Sequence, residues 1–421
     1  MSSNTETLTP SEWRQGWKIL PPSLAGIILC AVHQYTVGVM IVPLEREFGW
    51  LRSEISAGPL IVAVIALFVA PFVGSGIDRF GPRRIGLFGI LFFCAALALL
   101  STATSSIWSW WGLWCFMALA NMFVIPTVWT AAINGYFSKN RGMALAIALS
   151  GTGITATIIP SLTNFLVDAV GWRGAYLSLA VLCVTIVFPI AWFMFYSAGS
   201  RPSAPHSEHS TPPPANYGYS PREGLTSPTF IKLVAAIGVF SVALSAMTTN
   251  AVPVLLGQGM SPVRAAGLAG LVGIGSITGR LCGGFLLDRL NANKVAAFSV
   301  MLPTLSVALL LIFPGSVPGT ALACFLFGLS VGTEVDACAY LVARHFGLRS
   351  FGTLFGTING LFLFSTGIGP ILANYIYDVT KSYDLVLWGV IPVCTVAALL
   401  FYCLGPYPEF DQSSAADNTA V

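Results

Sequence analysis

Residues 74–84 read GSGIDRFGPRR, and residues 284–294, which lie 210 positions later, read GFLLDRLNANK. Both stretches contain Gly-x-x-x-Asp-Arg at the end of an apolar segment and close with a basic residue. The same offset superimposes the pattern Pro-x-x-x-Asn-x-x-x-Asp at 160–168 on its copy at 370–378. Repeats at one fixed offset indicate two copies of one structural unit, and copies in the same orientation predict two parallel halves.

The composition indicates a membrane protein. Of the 421 residues, 55% are hydrophobic and 9% are charged, whereas a soluble domain carries about 25% charged residues. The net charge of +3 is too small to predict nucleic-acid binding. The nine cysteines lie in apolar runs without Cys-x-x-Cys spacing, and no P-loop pattern is present. We therefore expect no metal site, no cofactor and no nucleic-acid partner.

A helix that spans a bilayer needs about 20 mostly apolar residues, and the sequence contains twelve such stretches. We predict an all-α membrane protein with two pseudo-symmetric six-helix bundles, at 22–197 and 230–405, joined by a cytoplasmic linker at 198–229 and flanked by cytoplasmic tails at 1–21 and 406–421. The linker is rich in Pro, Ser and His and has no apolar period, which is typical of a flexible segment. The predicted spans are 22–44, 55–77, 84–105, 109–134, 142–167, 173–197, 230–254, 263–287, 294–314, 318–343, 351–376 and 384–405.

The distribution of basic residues predicts the orientation in the membrane. Fourteen of the 20 Lys and Arg residues fall on the side of both termini, five fall on the other side, and Arg280 lies within a span. Because cytoplasmic loops hold the excess of basic residues, we predict that both termini are cytoplasmic. The expected location is a plasma membrane, namely a bacterial inner membrane, and the expected functional unit is a monomer.

These motifs resemble those of a known family. The stretch at 74–84 resembles the loop 2–3 signature of the major facilitator superfamily, and 284–294 is a degraded copy of it. The resemblance implies a secondary transporter with alternating access and a substrate site between the halves, not an enzyme. Four further stretches are similar to the monocarboxylate porter and oxalate:formate antiporter branch, namely EREFGWLRSEIS (45–56), GYFSKNRGMALAIALSGTG (135–153), GWRGAY (171–176) and GRLCGGFLLDR (279–289).

One departure from this branch bears on the substrate. The oxalate:formate exchanger pattern places a Lys in span 11, and no Lys or Arg occurs between Phe351 and Val379 in this chain. A dicarboxylate site would use two cations. The resemblance therefore implies a monocarboxylate anion as the substrate.

The Asp-Arg loop after span 2 has two interpretations. Asp78 precedes a tight Gly81-Pro82 turn, and the resemblance implies that this loop holds one arrangement of the halves and releases it when the carrier changes state. Alternatively, Arg83 and Arg84 only anchor the loop on the cytoplasmic side. The predicted conformational motif consists of Gly74, Asp78, Arg79, Gly81, Arg83, Asp288 and Arg289.

Three charged residues lie well inside predicted spans, where ionisable groups are costly unless they are paired or hydrated. Arg280 in span 8 and Glu334 and Asp336 in span 10 lie about 6, 5 and 8 Å past the middle of their spans, at about 1.5 Å per residue. They therefore share one depth. The guanidinium of Arg280 either binds a substrate carboxylate, as the resemblance also implies for an arginine of span 8, or neutralises one of the two acidic residues.

Glu334 and Asp336 are two residues apart, which separates them by about 200° around a helix. They cannot both face one cavity, so we expect one of them to face the cavity or Arg280 and the other to pack against a neighbouring helix. A carboxylate buried at this depth can exchange protons near neutral pH. Either residue is a candidate for proton coupling, and a static ion pair is the alternative.

Polar residues in the middle of spans complete the predicted substrate path. His33, Gln34 and Tyr35 in span 1 all need hydrogen-bond partners and are not expected to face lipid. We predict that they line the path, and His33 is also a candidate proton carrier. Asn121 and Asn359 are further candidates for the path, although single Asn residues often only tie helices together.

Four tryptophans cluster at the start of span 4. Trp108, Trp110, Trp111 and Trp114 lie within seven residues, close to the predicted boundary between lipid and water. Tryptophan is enriched at such boundaries, so we expect an interfacial belt here.

The sequence thus predicts a secondary active transporter that moves a small organic monocarboxylate anion by alternating access. The expected partners are this anion, the lipid bilayer and protons, the candidate coupling ion. Two alternatives stay open at this point. One is a proton-driven exporter of hydrophobic or cationic compounds, with Glu334 or Asp336 as its key charge, and the other is a non-transporting ligand sensor on the same fold.

Overall fold

The computed structural model describes residues 13, 16–134, 137, 141–195, 218–347 and 349–408. Sixteen α-helices hold nearly all of these residues, and the described chain forms no β-strand, which confirms the prediction of an all-α protein. The first half contains α1 (Leu20–Phe48), α2 (Arg52–Ile55), α3 (Ala57–Phe80), α4 (Pro82–Leu99), α5 (Ile107–Met122), α6 (Pro126–Asn134), α7 (Arg141–Leu149) and α8 (Gly151–Met194). The second half contains α9 (Pro221–Thr226), α10 (Pro228–Gly257), α11 (Pro262–Ala269), α12 (Leu271–Arg289), α13 (Ala292–Ile312), α14 (Val317–Phe346), α15 (Phe351–Thr380) and α16 (Asp384–Tyr402).

The described helices overlap all twelve predicted spans. Ten stretches of the described chain are long and apolar enough to cross a membrane. One of them, Met143–Met194, covers predicted spans 5 and 6, and α3, a further apolar helix of 24 residues, covers span 2. The chain is therefore a multi-pass membrane protein.

Two glycines with positive φ separate helices that the apolar pattern alone would join. Gly171 has φ 72° and ψ 170°, which is not helical, and it divides α8 into the two segments of spans 5 and 6. Glycine adopts this backbone conformation readily, whereas other residues rarely do. Gly81 has φ 81° between α3 and α4, and Pro82 then occupies the first turn of α4, where a missing N–H is tolerated. We call the end of the molecule that carries the Gly81 turn the Arg83 end, and the opposite end the Arg52 end.

Each half of the chain has its own hydrophobic core. One buried cluster lies within residues 19–195 and includes Phe93 and Trp129. The other lies within residues 230–404 and includes Phe240, together with Val39 from the first half. Through Val39, the second core therefore extends to the first half.

The halves approach each other closely along two helix pairs. A Cβ atom on Gly38 of α1 would lie 2.0 Å from the carbonyl oxygen of Thr249 in α10. A Cβ atom on Gly273 of α12 would lie 2.1 Å from the carbonyl oxygen of Gly153 in α8. Small residues let helix backbones touch in a membrane, so these glycines set the distance between the halves.

Part of the predicted linker at 198–229 lies outside the described residues, and so do most residues of both tails. From residue 218 onward the chain follows the second half, and the Tyr219 amide donates to the Phe346 carbonyl oxygen at 3.0 Å. Ser220 and Glu223 form a capping box that begins α9. Composition did not reveal this helix because a capping box acts over four residues, which is too short for an apolar period.

Candidate functional site

Arg280 in α12 and Asp336 in α14 lie opposite each other. The Arg280 Nε atom is 3.6 Å from Asp336 Oδ2, and the two side chains are 14% and 34% exposed. A charge-assisted hydrogen bond between nitrogen and oxygen is about 2.7–2.9 Å long. The contact is therefore a loose ion pair between two of the three charged residues inside the spans.

Small residues bring α12 and α14 close enough for this ion pair. A Cβ atom on Gly279 would lie 2.1 Å from the carbonyl oxygen of Leu329, and one on Gly332 would lie 2.0 Å from that of Ser276. The Thr333 hydroxyl also donates to the Gly279 carbonyl oxygen at 3.0 Å. The two backbones thus touch within about a turn of the ion pair and fix its position.

Arg280 has donor capacity to spare. Its Nη1 atom is buried and has no hydrogen-bond partner among the residues that the structure describes. A guanidinium carries five N–H donors, and a buried donor without a partner costs about 1–3 kcal/mol. A carboxylate can accept two parallel hydrogen bonds from this group, so the arrangement suits the binding of an organic anion.

Glu334 faces away from the ion pair. It is 4% exposed, and its Oε1 accepts a hydrogen bond from the Ser241 hydroxyl of α10 at 2.8 Å. Its Oε2 is buried, and within the described part of the chain it has no hydrogen-bond partner. Burying an ionised carboxylate without a cation costs several kcal/mol, so these surroundings favour the neutral form of Glu334. The two acidic residues thus diverge, as their separation around the helix predicts.

The three polar residues of span 1 do not share one environment. His33 is 8% exposed and lies inside the first core, where its ring centroid is 6.0 Å from that of Phe93 and 6.1 Å from that of Trp114. Gln34 is half-buried. Tyr35 lines a cavity between the halves. The structure therefore brings Tyr35 to the surface between the halves and places His33 away from that surface.

The cavity beside Tyr35 is small. Its volume is about 20 Å³, and its walls include Gly38, Thr248 and Val272, which come from both halves. A space of this size holds about one water molecule, so the halves are closed around it. The charge of Arg280 acts on the Tyr35 hydroxyl, although Arg280 does not line this cavity.

The two candidate asparagines differ in their surroundings. Asn121 is 6% exposed, and its Oδ1 accepts a weak hydrogen bond from the Cys30 thiol at 3.8 Å. This contact ties α5 to α1 within the first half, which is the helix-packing alternative considered for a single asparagine. Asn359 lies on α15 and is exposed.

The structure describes part of the conformational motif. Arg83 donates from Nη2 to the carbonyl oxygen of Trp192 at 2.8 Å, so the turn after α3 is tied to the end of α8. Arg79 is exposed, and Arg289 lies 4.1 Å from the centre of the Phe285 ring. Three motif positions stay predictions because their surroundings lie outside the described part of the structure: Gly74, Asp78 and Asp288.

A polar network that was not predicted joins the halves at the Arg52 end. The Asp378 carboxylate of α15 accepts hydrogen bonds from the Arg52 amide at 3.1 Å, the Ser53 amide at 2.9 Å and the Ser53 hydroxyl at 2.5 Å. These amides begin the short helix α2, where unsatisfied N–H groups favour a negative charge. Asp378 of the second half therefore caps a helix of the first half.

The side chain of Arg52 extends this network. Its Nε and Nη2 atoms each lie 2.9 Å from Glu45 Oε2, its Nη1 donates to the Tyr383 hydroxyl at 3.3 Å, and its Cζ lies 3.7 Å from the centre of the Tyr377 ring. Burial opposes the charge of Arg52, but the contacts with Glu45 and Tyr383 outweigh this effect and raise the pKa of Arg52. A permanently charged arginine is thus held between residues of both halves.

Both sides of this network lie in recognisable sequence motifs. Asp378 ends the second copy of Pro-x-x-x-Asn-x-x-x-Asp, and Arg52 and Ser53 lie in the stretch EREFGWLRSEIS. Sequence reasoning did not connect them because the partners are 326 and 325 residues apart. No pattern within either stretch indicates the other.

The predicted belt of four tryptophans is wrong for two of them. Trp110 and Trp114 have no exposed surface, and the Trp110 indole donates to the Ile55 carbonyl oxygen at 3.1 Å. Residues four apart share one face of a helix, and this face of α5 packs into the first core. Trp108 is 74% exposed, as expected of an interfacial residue.

Comparisons with known proteins extend these observations. The sequence model of the Major Facilitator Superfamily matches residues 23–362. Monocarboxylate transporter 13 of Bos taurus is 24% identical to this chain over 379 residues, which cover 89% of this chain and 85% of the relative. The gallate transporter of Pseudomonas putida is 24% identical over 407 residues, which cover 85% of this chain and 87% of that relative.

A solved structure has the same fold. It is a bacterial homologue of the human lysosomal transporter Spinster, in an inward-facing and occupied conformation. The two chains match with a TM-score of 0.70 and 14% sequence identity, over 94% of this chain and 97% of the other.

Proposed function

The chain belongs to the Major Facilitator Superfamily, and we propose that it carries a small organic monocarboxylate anion that binds to Arg280 between the two halves. The protein is a membrane transporter that works by alternating access, in which a site between two bundles opens to one side of the membrane at a time. In the proposal, the two bundles that move against each other are residues 22–197 and 230–405.

The unpaired donor of Arg280 carries this proposal. Arg280 Nη1 is buried, and none of the described residues forms a hydrogen bond with it. A carboxylate matches the guanidinium fork with two parallel hydrogen bonds. One arginine neutralises one negative charge. Span 11 adds no second cation, because no Lys or Arg occurs between Phe351 and Val379, and this absence favours a monoanion over a dianion.

Asp336 is the internal competitor of the substrate in this mechanism. Its ion pair with Arg280 is 3.6 Å long and one third exposed on the Asp336 side, so an incoming carboxylate can replace it. Asp336 then loses its cation inside the membrane, where an unpaired charge is costly. Uptake of a proton by Asp336 restores neutrality, and one anion and one proton move together.

Glu334 is the second candidate for proton exchange. Its hydrogen bond with Ser241 and its unpaired Oε2 support a neutral carboxyl group. No ion pair links Glu334 to Arg280 in the described part of the chain. Substrate arrival therefore acts on Asp336 more directly than on Glu334, and we assign proton coupling to Asp336.

The relatives and the remaining polar residues support this substrate class. One relative is a monocarboxylate transporter and another is a gallate transporter, and gallate itself carries a single carboxylate. Tyr35, within electrostatic reach of Arg280, is proposed to contact the rest of the substrate. Gln34 and Asn359 stay candidates for the same role in other states of the cycle.

We further propose that the Arg83 end faces the cytoplasm and the Arg52 end faces outward. The excess of basic residues on the side of both termini supports this orientation in a plasma membrane. The functional unit in this proposal is a monomer.

Uptake into proteoliposomes tests the proposal. Purified protein would be supplied with radiolabelled lactate, pyruvate, benzoate and gallate, with and without a pH gradient. We expect accumulation of at least one of these anions, increased by an inward proton gradient. In Arg280→Ala the loss of a two-bond contact, about 3 kcal/mol, lowers kcat/KM by about 100-fold.

Two further variants make this test specific. Arg280→Lys keeps the charge but not the fork, so it should retain part of the uptake. Arg264→Ala removes an exposed arginine and should leave uptake unchanged. Full uptake by Arg280→Ala would contradict the anion site. Efflux of hydrophobic cations without carboxylate uptake would favour the exporter with Glu334 as its key charge, and binding without transport would favour the sensor.

A further inference from the structure

We propose that Asp378 and Arg52 form a latch that holds the Arg52 end of the transport path closed. In this proposal only the second copy of the repeated pattern forms such a latch, and the first copy does not. Asp378 is then a positioning residue of the transport cycle. The inference rests on alternating access and on the contacts between the halves. It does not depend on which substrate binds to Arg280.

The contacts of Asp378 are of a kind that opening must break. Arg52 and Ser53 belong to the first half and Asp378 to the second, and three hydrogen bonds join them. On the same side of α15, the Ser56 hydroxyl donates to the Pro370 carbonyl oxygen at 3.4 Å. When the halves separate at this end, all four hydrogen bonds are lost together.

The Arg52 side chain reinforces the closed arrangement. It is 8% exposed and lies against the ring of Tyr377 and the hydroxyl of Tyr383, both from the second half. Tyr383 in turn donates to Asn374 Oδ1 at 2.7 Å. Asn374 and Asp378 are the last two residues of the repeated pattern, so this copy of the pattern contributes to both parts of the latch.

The first copy of the pattern has no matching latch in the described structure. Asp168 corresponds to Asp378 at the offset of 210, but Asp168 is exposed and accepts a hydrogen bond from Asn164 of its own helix at 3.2 Å. Positions 52 and 53 correspond to Pro262 and Val263. Proline has no N–H to donate and valine has no hydroxyl, so the capping contacts of Asp378 cannot be reproduced by symmetry.

A latch at the Arg52 end alone should shift the equilibrium between the states that are open at either end. Contacts present in one state and absent in the other set the populations of the two states. Asp378→Asn keeps the shape of the side chain but removes its negative charge and one acceptor oxygen. We therefore expect this variant to populate the state that is open at the Arg52 end at least tenfold more than the unmodified protein.

Hydrogen exchange of the full chain in lipid nanodiscs measures this shift without a substrate. The Arg52 and Ser53 amides donate directly to Asp378, so peptides that cover 49–58 and 370–384 report on the latch. We expect at least tenfold faster exchange in Asp378→Asn. Asp168→Asn is the matched control from the other copy of the repeat, and it should leave both peptides unchanged.

Transport kinetics supply a second readout that a merely structural role would not move. KM would be measured with the transported anion offered from the Arg52 end and, separately, from the Arg83 end. In Asp378→Asn the ratio of the first KM to the second should fall, because the state that is open at the Arg52 end is more populated. Equal exchange in Asp378→Asn and Asp168→Asn, or an unchanged ratio of the two KM values, would overturn the latch. If Asp378→Asn does not fold, Ser53→Ala removes one hydrogen bond and should accelerate exchange at least threefold.

Discussion

Replacing Asp336 by Asn separates the two roles that a carboxylate beside Arg280 can have. If Asp336 competes with the substrate, its removal should tighten binding. If Asp336 instead supports the binding conformation of Arg280, its removal should weaken binding. The substitution keeps the volume and a polar oxygen, so the packing of α12 against α14 is preserved.

The size of the effect follows from the geometry of the ion pair. Two unit charges 3.6 Å apart attract by about 4–5 kcal/mol at an effective dielectric constant of 20. Asp336 is 34% exposed, and solvent screening reduces the net value of such a pair to about 1–2 kcal/mol. The substrate regains this cost in Asp336→Asn, so its Kd should fall about tenfold at neutral pH.

The pH dependence has a definite sign. Protonation of Asp336 frees Arg280, so the unmodified protein should bind the anion more tightly as the pH falls. Asp336→Asn should bind with nearly the same Kd across this range, and a proton gradient should no longer drive accumulation. Equilibrium binding of the radiolabelled anion to purified protein at several pH values measures both effects.

Asp168→Asn, an exposed site outside the ion pair, is the control for the loss of one negative charge. A tenfold increase of Kd in Asp336→Asn, with the pH dependence retained, would refute the competition between Asp336 and the substrate.

Two further substitutions test other parts of the site. Glu334→Gln keeps an acceptor for the Ser241 hydroxyl, which donates to Glu334 at 2.8 Å. Proton-driven uptake should therefore persist within about twofold. Loss of this uptake would transfer the coupling role from Asp336 to Glu334. Gly273→Ala places a Cβ atom 2.1 Å from the Gly153 carbonyl oxygen across the halves, and overpacking of this kind costs about 1–3 kcal/mol. Faster hydrogen exchange at 49–58 is the expected result, whereas Gly267→Ala, where a Cβ atom meets open space, should have no effect.

The intramembrane charges show what sequence reasoning captured and where it stopped. Counting residues from the span centres predicted one depth for Arg280 and Asp336, and helix rotation predicted that Glu334 would diverge from Asp336. The structure agrees with both because long, regular helices convert sequence spacing into position with little error.

Helix rotation also separates the three polar residues of span 1. His33, Gln34 and Tyr35 are consecutive, and about 100° of rotation per residue spreads them over more than half of the helix circumference. One cavity therefore cannot receive all three. The His33 ring packs near Phe93 and Tyr35 lines a cavity between the halves, so these two residues lie in different surroundings.

The Arg52–Asp378 network was beyond sequence reasoning for a different reason. Its partners come from the short helix α2 and from α15, which lie far apart in the chain. Their charges lie near span ends, where charged residues are ordinary. Only the closure of the two halves brings them together. A contact that belongs to one state of a moving protein leaves little trace in local patterns.

Main-chain recognition by Asp378 also affects how related sequences should be compared. Two of its three hydrogen bonds come from the amides of residues 52 and 53, and any amino acid except proline supplies such an amide. The contact can therefore persist while these positions vary freely, so searches for correlated substitutions would pass over it. Proline at the corresponding position 262 is the type of change that abolishes it.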